Sequence, residues 1–189
     1  MRIGAVFAGG LAVLAVLGAS DDAVAGRTRD KVDLVDNSLY LIKTTTREEV
    51  RYDGRYAPGT IIVDTRERVL YYVLSNDKAI RYGIGVGREG FSWGGVSHVS
   101  RKAEWPGWTP PSDMRQRQPW LPSYVPGGEG NPLGARALYL GATLYRIHGT
   151  NEAQTIGRAV SSGCIRMLNS DVIDLYERVR VGAKVVVLQ

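Results

Sequence analysis

Two short stretches of the chain carry residue types that can do covalent chemistry. Residues 145–150 (YRIHGT) include His148, and the single cysteine, Cys164, follows the small-residue turn at residues 161–163 (SSG). Imidazole has a pKa suited to removing a proton near neutral pH, and a thiolate is a strong nucleophile. Gly163 removes a side chain beside the thiol and lets backbone N–H groups approach a developing oxyanion. The pair therefore indicates nucleophilic catalysis.

The residue types alone leave structural roles open for both side chains. His148 and Cys164 are 16 residues apart, and each is also compatible with a packing role. The other histidine, His98, lies on a predicted strand without such surroundings, and we interpret it as a surface or packing residue. Two histidines and one cysteine supply too few ligands in any recognisable spacing for a metal site. We therefore expect no metal.

Residues 85–90 (GVGREG) match the pattern G-x-G-x-x-G of dinucleotide-binding proteins. That fingerprint requires a helix to open directly after the glycines. Residues 91–95 (FSWGG) do not start a helix, and Pro110 and Pro111 stand where an acidic residue is required. We interpret these glycines as bends between β-strands.

Taken together, the residues around the pair resemble the signature of L,D-transpeptidases with a YkuD-type catalytic domain. His148-Gly149-Thr150 is followed by residues 155–157 (TIG) and then by residues 161–167 (SSGCIRM). The resemblance extends from about Pro58 to Leu188, through residues 105–108 (WPGW) and 131–140 (NPLGARALYL).

The resemblance implies a role for each matching residue. Cys164 is expected to be the nucleophile and His148 the base, with the Gly149 carbonyl orienting the imidazole in place of a carboxylate. The backbone N–H groups of Gly163 and Cys164 are expected to hold the oxyanion. Arg166 is a candidate partner for a substrate carboxylate, and an internal salt bridge is the alternative.

Four further residues are expected to contact the substrate: Ser161, Ser162, Trp105 and Trp108. Many members of the family have a histidine at the position of Ser162. This departure puts any contribution from a second histidine in doubt, but it leaves the Cys164–His148 pair intact.

The reaction that the resemblance implies has two halves. The thiolate attacks the bond between diaminopimelate and the terminal D-alanine of a peptidoglycan tetrapeptide stem, and an acyl-thioester forms. An amine acceptor then takes the acyl group: a second stem (giving a 3–3 cross-link), an envelope protein or a D-amino acid. No cofactor is expected. The alternatives are an envelope carboxypeptidase or amidase that uses water, and a wall-binding module with an inactive pair.

The elements that must position this pair are mostly short strands. Strands are predicted at residues 61–63, 69–74, 78–82, 96–99, 137–140, 144–148 and 185–188. One helix is predicted, with Ser170 or Asn169 as its cap, an apolar stripe at Val172, Ile173, Leu175, Tyr176 and Val179, and Gly182 at its end. This pattern predicts a mainly β fold, an antiparallel β-sandwich or barrel-like domain with a late helix.

A long Trp- and Pro-rich loop interrupts the strands at residues 100–133. Four tryptophans fall in it or just before it, and so do seven of the eight prolines. Long connections inside a compact domain are usually functional. We therefore expect a lid that forms a wall of the substrate cleft, and packing of the tryptophans onto the sheet is the alternative.

The beginning of the chain reads as an export signal. Residues 1–25 combine Arg2, an apolar run and an A-x-A site at residues 23–25. An uncleaved N-terminal anchor is the alternative. Residues 26–57 are predicted to be an extension, and residues 58–189 the catalytic domain.

The formal net charge of +5 suits loose attraction to anionic wall polymers. The basic residues are scattered, so nucleic acid is not the expected partner. The chain is thus expected to act in the periplasm or cell envelope, with no transmembrane segment after cleavage of the signal.

Overall fold

The computed structural model describes residues 46–189. The predicted signal peptide at residues 1–25 and residues 26–45 of the predicted extension lie outside the described residues. Within residues 46–189, no helix has the length and apolar character needed to span a bilayer.

Eleven strands and two α-helices make up the described chain. The strands are β1 (Glu48–Arg51), β2 (Ile61–Asp64), β3 (Val69–Val73), β4 (Lys78–Gly83), β5 (Val86–Gly87), β6 (Gly95–Glu104), β7 (Arg136–Leu140), β8 (Arg146–His148), β9 (Ala159–Ser161), β10 (Ile165–Arg166) and β11 (Lys184–Leu188). The helices are α1 (Ser112–Arg117) and α2 (Asn169–Arg178), and a 3-10 turn spans Ala153–Thr155.

Nine of the strands form one mixed sheet in the order β1-β4-β3-β2-β11-β6-β7-β8-β10. Strand β6 links its two halves, because its first residues pair with β11 and its later residues pair with β7, with a register shift between Val99 and Arg101. A bulge of this kind bends a strand and increases its twist. The remaining strands, β5 and β9, pair with each other.

Apolar residues from both halves of the sheet meet in one core. It includes Ile61 and Leu70 from the first half, Ile147 and Ile165 from the second, and Leu175 from α2. These side chains alternate along their strands with residues that face away from the core, as the pleat of a strand requires. Helix α2 packs against β7 and covers one side of this core.

The mainly β fold with a late helix is confirmed, but the strands are not all antiparallel as predicted. β2 and β11, β8 and β10, and β5 and β9 pair in parallel. Parallel neighbours need a crossover of about a dozen or more residues. The chain between β8 and β10 supplies one, and it contains the 3-10 turn.

The late helix differs in detail from its prediction. Neither Ser170 nor Asn169 caps it: Leu168 occupies the cap position, and no side chain bonds to the free N–H groups. Val172 and Leu175 are buried as predicted, whereas Ile173 is 37% exposed because the helix packs on the sheet through one face only.

The predicted extension contributes a strand to the sheet. β1 pairs antiparallel with β4, from Glu48 opposite Arg81 to Arg51 opposite Lys78. Two ion pairs, Glu48–Arg81 and Glu49–Lys78, each at 2.8 Å, follow this register.

Candidate active site

The parallel pairing of β8 with β10 brings the reactive residues together. Arg166 lies opposite His148, and Ile165 lies opposite Ile147. Because side chains alternate between the faces of a strand, Ile147 and Ile165 point into the core, where both are almost fully buried. His148 and Arg166 therefore share the other face, and Cys164, just before β10, comes beside Arg146.

A cavity of about 430 Å³ opens over this face. Arg146, His148, Cys164 and Arg166 line one wall. The rest of the lining comes from the Trp- and Pro-rich loop and from Phe91 and Leu144; the loop residues include Trp108, Pro111, Asp113, Met114 and Arg117. The predicted nucleophile and base thus border one space large enough for a peptide segment.

His148 is held in one orientation by its neighbour in the chain. Its Nδ1–H donates to the carbonyl oxygen of Gly149 at 2.5 Å. A carbonyl oxygen only accepts, so the proton is on Nδ1 and Nε2 carries the lone pair. Burial lowers the pKa of His148 to about 3, and the nearby Arg146 and Arg166 act in the same direction. The imidazole is therefore neutral at rest.

Cys164 is also neutral at rest. Burial raises the pKa of its thiol above the ordinary value, although the backbone N–H and side chain of Arg146 act to lower it. The Sγ–H donates weakly to the Leu144 carbonyl oxygen at 3.8 Å. His148 and Cys164 thus border the same cavity with both side chains uncharged.

The turn before Cys164 is held by one hydroxyl group. Ser161 is only 3% exposed. Its Oγ donates to the Cys164 carbonyl oxygen at 2.6 Å and accepts from the Gly163 N–H at 3.2 Å. The Gly163 N–H, an expected oxyanion donor, is therefore already engaged at rest, and the Cys164 N–H follows it in the chain.

Gly163 fills a position that a side chain cannot occupy. Its φ of +102° is in the left-handed region that favours glycine. A Cβ there would lie 2.5 Å from the Tyr145 ring. The glycine therefore lets the nucleophile turn pass close to Tyr145.

An aromatic pair packs against the same turn, and the sequence prediction did not single it out. Trp93 stacks on Tyr145 with ring centroids 4.8 Å apart and planes at 10°. The Trp93 Nε1–H donates to the Gly163 carbonyl oxygen at 3.0 Å. Trp93 lies just before the loop that contains the other three tryptophans. Its residue type alone therefore did not distinguish it from them.

The glycines of the discarded nucleotide pattern pack behind the site. Gly85 exchanges two backbone hydrogen bonds of 2.8 Å with Arg166. A Cβ on Gly87 would lie 2.6 Å from the Phe91 carbonyl oxygen and 3.2 Å from the Gly163 Cα. Gly90 alone takes a turn conformation, with a φ of +78°. Close approach, more than bending, explains Gly85 and Gly87.

Asn169 supports the segment that follows His148. Its Oδ1 accepts from the backbone N–H groups of Ala135 at 3.0 Å and Thr150 at 3.2 Å. A Cβ on Gly149 would lie 2.2 Å from this oxygen. Asn169 thus anchors the segment with the carbonyl group that orients His148, instead of capping α2.

The residues expected to contact the substrate lie at different depths. Ser162 and Trp108 line the cavity and are half-buried, whereas Trp105 is 42% exposed and does not line it. Arg166 lines the cavity, but its Nη1 already donates to Glu152 Oε2 at 2.7 Å. The salt bridge named as the alternative for Arg166 is therefore present.

The other histidine takes no part in the site. His98 lies exposed on β6, where its carbonyl oxygen accepts from the Gly141 N–H. Among residues 46–189, no three His, Cys, Asp or Glu side chains converge in a way that would hold a metal ion.

Comparison with known proteins places this chain in a family. Residues 58–187 match the YkuD model, described as the L,D-transpeptidase catalytic domain. A probable L,D-transpeptidase of Escherichia coli, ErfK/SrfK, is 40% identical over 137 residues, which are 68% of this chain and 43% of that protein. This chain therefore spans less than half the length of that relative.

Two solved structures share the architecture. One from Brucella melitensis, described as a probable carnitine operon oxidoreductase, is 46% identical, covers 76% of this chain and 93% of its own, and has a TM-score of 0.52. An L,D-transpeptidase from Mycobacterium smegmatis is 16% identical, covers 69% of this chain and 58% of its own, and has a TM-score of 0.54, so this second likeness concerns the fold alone. The match over residues 58–187 decides the assignment: the chain belongs to the YkuD family of L,D-transpeptidase catalytic domains.

Proposed function

We propose that this chain is a peptidoglycan L,D-transpeptidase in which Cys164 is the nucleophile and His148 the base. The donor is a tetrapeptide stem, cleaved between diaminopimelate and its terminal D-alanine. The observation that carries the proposal is the position of the pair: both residues line one cavity, and His148 turns Nδ1–H away to Gly149. Membership of the YkuD family supplies the reaction class.

The first half-reaction moves one proton and one acyl group. Cys164 Sγ forms a bond to the carbonyl carbon of diaminopimelate while its proton passes to His148 Nε2. The C–N bond then breaks, and the same proton goes to the departing amine of D-alanine. The Cys164 N–H, together with Gly163 N–H if it leaves Ser161, stabilises the oxyanion, an interaction typically worth about 3 kcal/mol per donor. The acyl group stays on the thiol.

The second half-reaction determines the product. A neutral His148 accepts a proton from the incoming amine, which attacks the thioester and restores the thiol. A second stem as acceptor gives a 3–3 cross-link, an envelope protein gives an attached protein, and a D-amino acid gives an exchanged stem. Water as acceptor makes the enzyme an L,D-carboxypeptidase. The expected export to the periplasm or cell envelope would place the enzyme beside both substrates.

The name of the Brucella relative raises oxidoreductase activity as another candidate. The only nucleotide-like pattern that the sequence analysis found is residues 85–90, and no helix begins there. Gly85 and Gly87 pack against Arg166 and the nucleophile turn. A dinucleotide phosphate thus lacks the helix N-terminus that this fingerprint provides, and acyl transfer remains the function we propose.

The test is incubation of the purified protein with disaccharide-tetrapeptide, followed by mass spectrometry of protein and products. We expect an acyl adduct on the protein and free D-alanine, with dimers, tripeptides or exchanged stems identifying the acceptor. Cys164→Ala should give neither adduct nor product and should stay folded, because a small side chain at a turn contributes little packing.

Two outcomes would contradict the proposal. Turnover by the Cys164→Ala protein would mean that another residue is the nucleophile. A wild-type protein that binds stems without releasing D-alanine would instead be a wall-binding module with an inactive pair.

A further inference from the structure

Arg146, which its residue type alone does not single out, lines the same cavity as His148 and Cys164. It is two residues before His148 on β8, so both side chains project from the same face. It lines the cavity beside Cys164, and its guanidinium contacts the ring of Tyr139, with Cζ 5.2 Å from the ring centroid. The ring limits the positions that this guanidinium can adopt.

Three arginines line the cavity, and two of them already have a carboxylate. Arg166 pairs with Glu152 at 2.7 Å, and Arg117 pairs with Asp113 at 3.2 Å. Arg146 forms no ion pair with any carboxylate in residues 46–189, and its Nε is buried without a hydrogen-bond acceptor. A buried donor without an acceptor costs free energy, so this group is suited to an anion that arrives with a ligand.

The thiol does not supply this anion in the resting enzyme. Burial keeps the pKa of Cys164 above its ordinary value despite the proximity of Arg146, so the sulfur stays protonated. Asp113, the only carboxylate among residues 46–189 that lines the cavity, is paired with Arg117. The positive charge of Arg146 thus meets no negative partner before substrate enters.

The chemistry of the donor places a carboxylate close to the thiol. The residue that leaves from a tetrapeptide is its last, so its free carboxylate lies about one residue length, ~3.8 Å, beyond the scissile bond. Guanidinium binds carboxylates through two parallel hydrogen bonds. An arginine beside Cys164 is therefore suited to bind such a carboxylate.

We propose that Arg146 binds the C-terminal carboxylate of the donor stem and so selects stems that end one residue after the scissile bond. This inference rests on the proposed function and assigns a specificity-determining residue to it. During acylation the C–N bond breaks, the proton from Cys164 reaches the departing amine through His148, and D-alanine leaves with its carboxylate still on Arg146. Amidation of that carboxylate removes the charge that Arg146 recognises.

The test compares two donors that differ only at this group: a tetrapeptide with a free C-terminal carboxylate and the same peptide as its C-terminal amide. We expect wild-type kcat/KM for acylation to favour the acid by about 10- to 100-fold, the range expected for hydrogen bonds to a charged group. Arg146→Gln should slow acylation by the acid donor much more than acylation by the amide, and so lose most of this preference.

Arg101→Gln is the matched control. Arg101 also stacks on Tyr139, with Cζ 3.6 Å from the ring centroid, but it is exposed and does not line the cavity. Its variant should keep the wild-type preference for the acid. Binding of both peptides to Cys164→Ala protein measures the preference with Arg146 in place, and Arg146→Lys should retain part of it. These two measurements apply even if Arg146→Gln does not fold.

Each result decides the question. A wild-type enzyme that takes acid and amide equally overturns the inference, and so does an Arg146→Gln protein that keeps the preference. A parallel loss for both donors would mean that Arg146 acts on the thiol or on the fold. If neither donor acylates the protein, the proposed function is overturned, and this inference with it.

Discussion

The nucleophile turn (residues 161–164) and the expected lid (residues 105–131 of the Trp- and Pro-rich loop) border the same cavity but are held in different ways. Buried Ser161, the left-handed Gly163 and the Trp93–Tyr145 stack fix the turn. The lid has a short helix, α1, without a buried residue, and Trp105, Trp120 and Tyr124 are exposed.

Hydrogen bonds within the lid hold its own segments together. Trp108 and Val125 exchange two backbone hydrogen bonds of 2.8 Å. Asn131, buried at its base, donates to the carbonyl oxygens of Val125 at 3.0 Å and Pro126 at 2.8 Å. We therefore expect changes in the lid to leave the position of the thiol unchanged and to alter how substrate reaches it.

The largest effect is expected from Gly163→Ala. The left-handed φ alone costs on the order of 1–3 kcal/mol for a residue with a side chain, and the added Cβ would press on Tyr145. We expect a lower melting temperature and acylation reduced by about 100-fold or more, because a displacement of ~1 Å at a reacting atom can cost that much.

Gly130→Ala is the control from the lid. A Cβ at Gly130 meets no atom within 4 Å, so this variant should match the wild type in both measurements. If Gly163→Ala and Gly130→Ala had the same melting temperature and the same acylation rate, the distinction between the turn and the lid would be wrong.

Ser161→Ala should have the next largest effect. It leaves the buried Gly163 N–H without its acceptor, at a cost of about 1–3 kcal/mol. We expect a loss of stability of this size and acylation slowed by roughly 10- to 100-fold if the turn shifts by a fraction of an ångström. Thermal melting and the acylation rate measure the two effects. The exposed lid residue Ser123, changed to alanine, should leave both unchanged, and a similar loss there would contradict the distinction.

A smaller effect is expected from the lid tryptophans. Trp108 lines the cavity, so Trp108→Ala should slow acylation by peptide donor by about 10-fold through poorer alignment. Trp105, which is exposed and outside the cavity wall, should give a smaller change. Reaction of Cys164 with a small thiol reagent should stay the same or rise. A clear loss of melting temperature with normal acylation would favour the packing alternative instead.

A separate effect concerns pH and isolates the buried base. The folded protein holds the pKa of His148 at about 3, whereas an unfolded histidine titrates near ~6.5. Between these values the unfolded state binds the extra proton, so stability should fall as pH drops below about 6.5, by at most ~1.4 kcal/mol per pH unit. Urea unfolding from pH 7.5 to 4.5 measures this slope. His148→Gln should flatten it and the exposed His98→Gln should not, and equal slopes in all three proteins would contradict the burial of His148 as its cause.

Local patterns predicted most of the sheet and the reactive pair. Short apolar runs predicted the central strands. The separation of 16 residues between His148 and Cys164 in the sequence is long enough for a crossover between two parallel strands. The direction of β10 could not be read from two residues, because Ile165 and Arg166 carry no periodicity of their own. It follows from pairing with β8, which is a long-range contact.

The residues that support the site could not be identified from the sequence, for a related reason. Asn169 reads as a helix cap by type, but its side chain satisfies backbone groups of two distant segments. Trp93 and Arg146 gave no local signal that distinguishes them from other tryptophans and arginines. Their importance comes from what the fold places beside them.

The position of β11 in the sheet has a consequence for how the domain forms. This strand comes latest in the described chain, yet it lies between β2 and β6, and Ile61 pairs with Val185. The sheet half that begins the domain and the half that carries the thiol therefore become continuous only after almost the whole chain is available. Such non-local parallel pairing folds slowly. Without β11 the sheet would therefore divide into two parts, β1-β4-β3-β2 and β6-β7-β8-β10, of which only the second leads to the thiol.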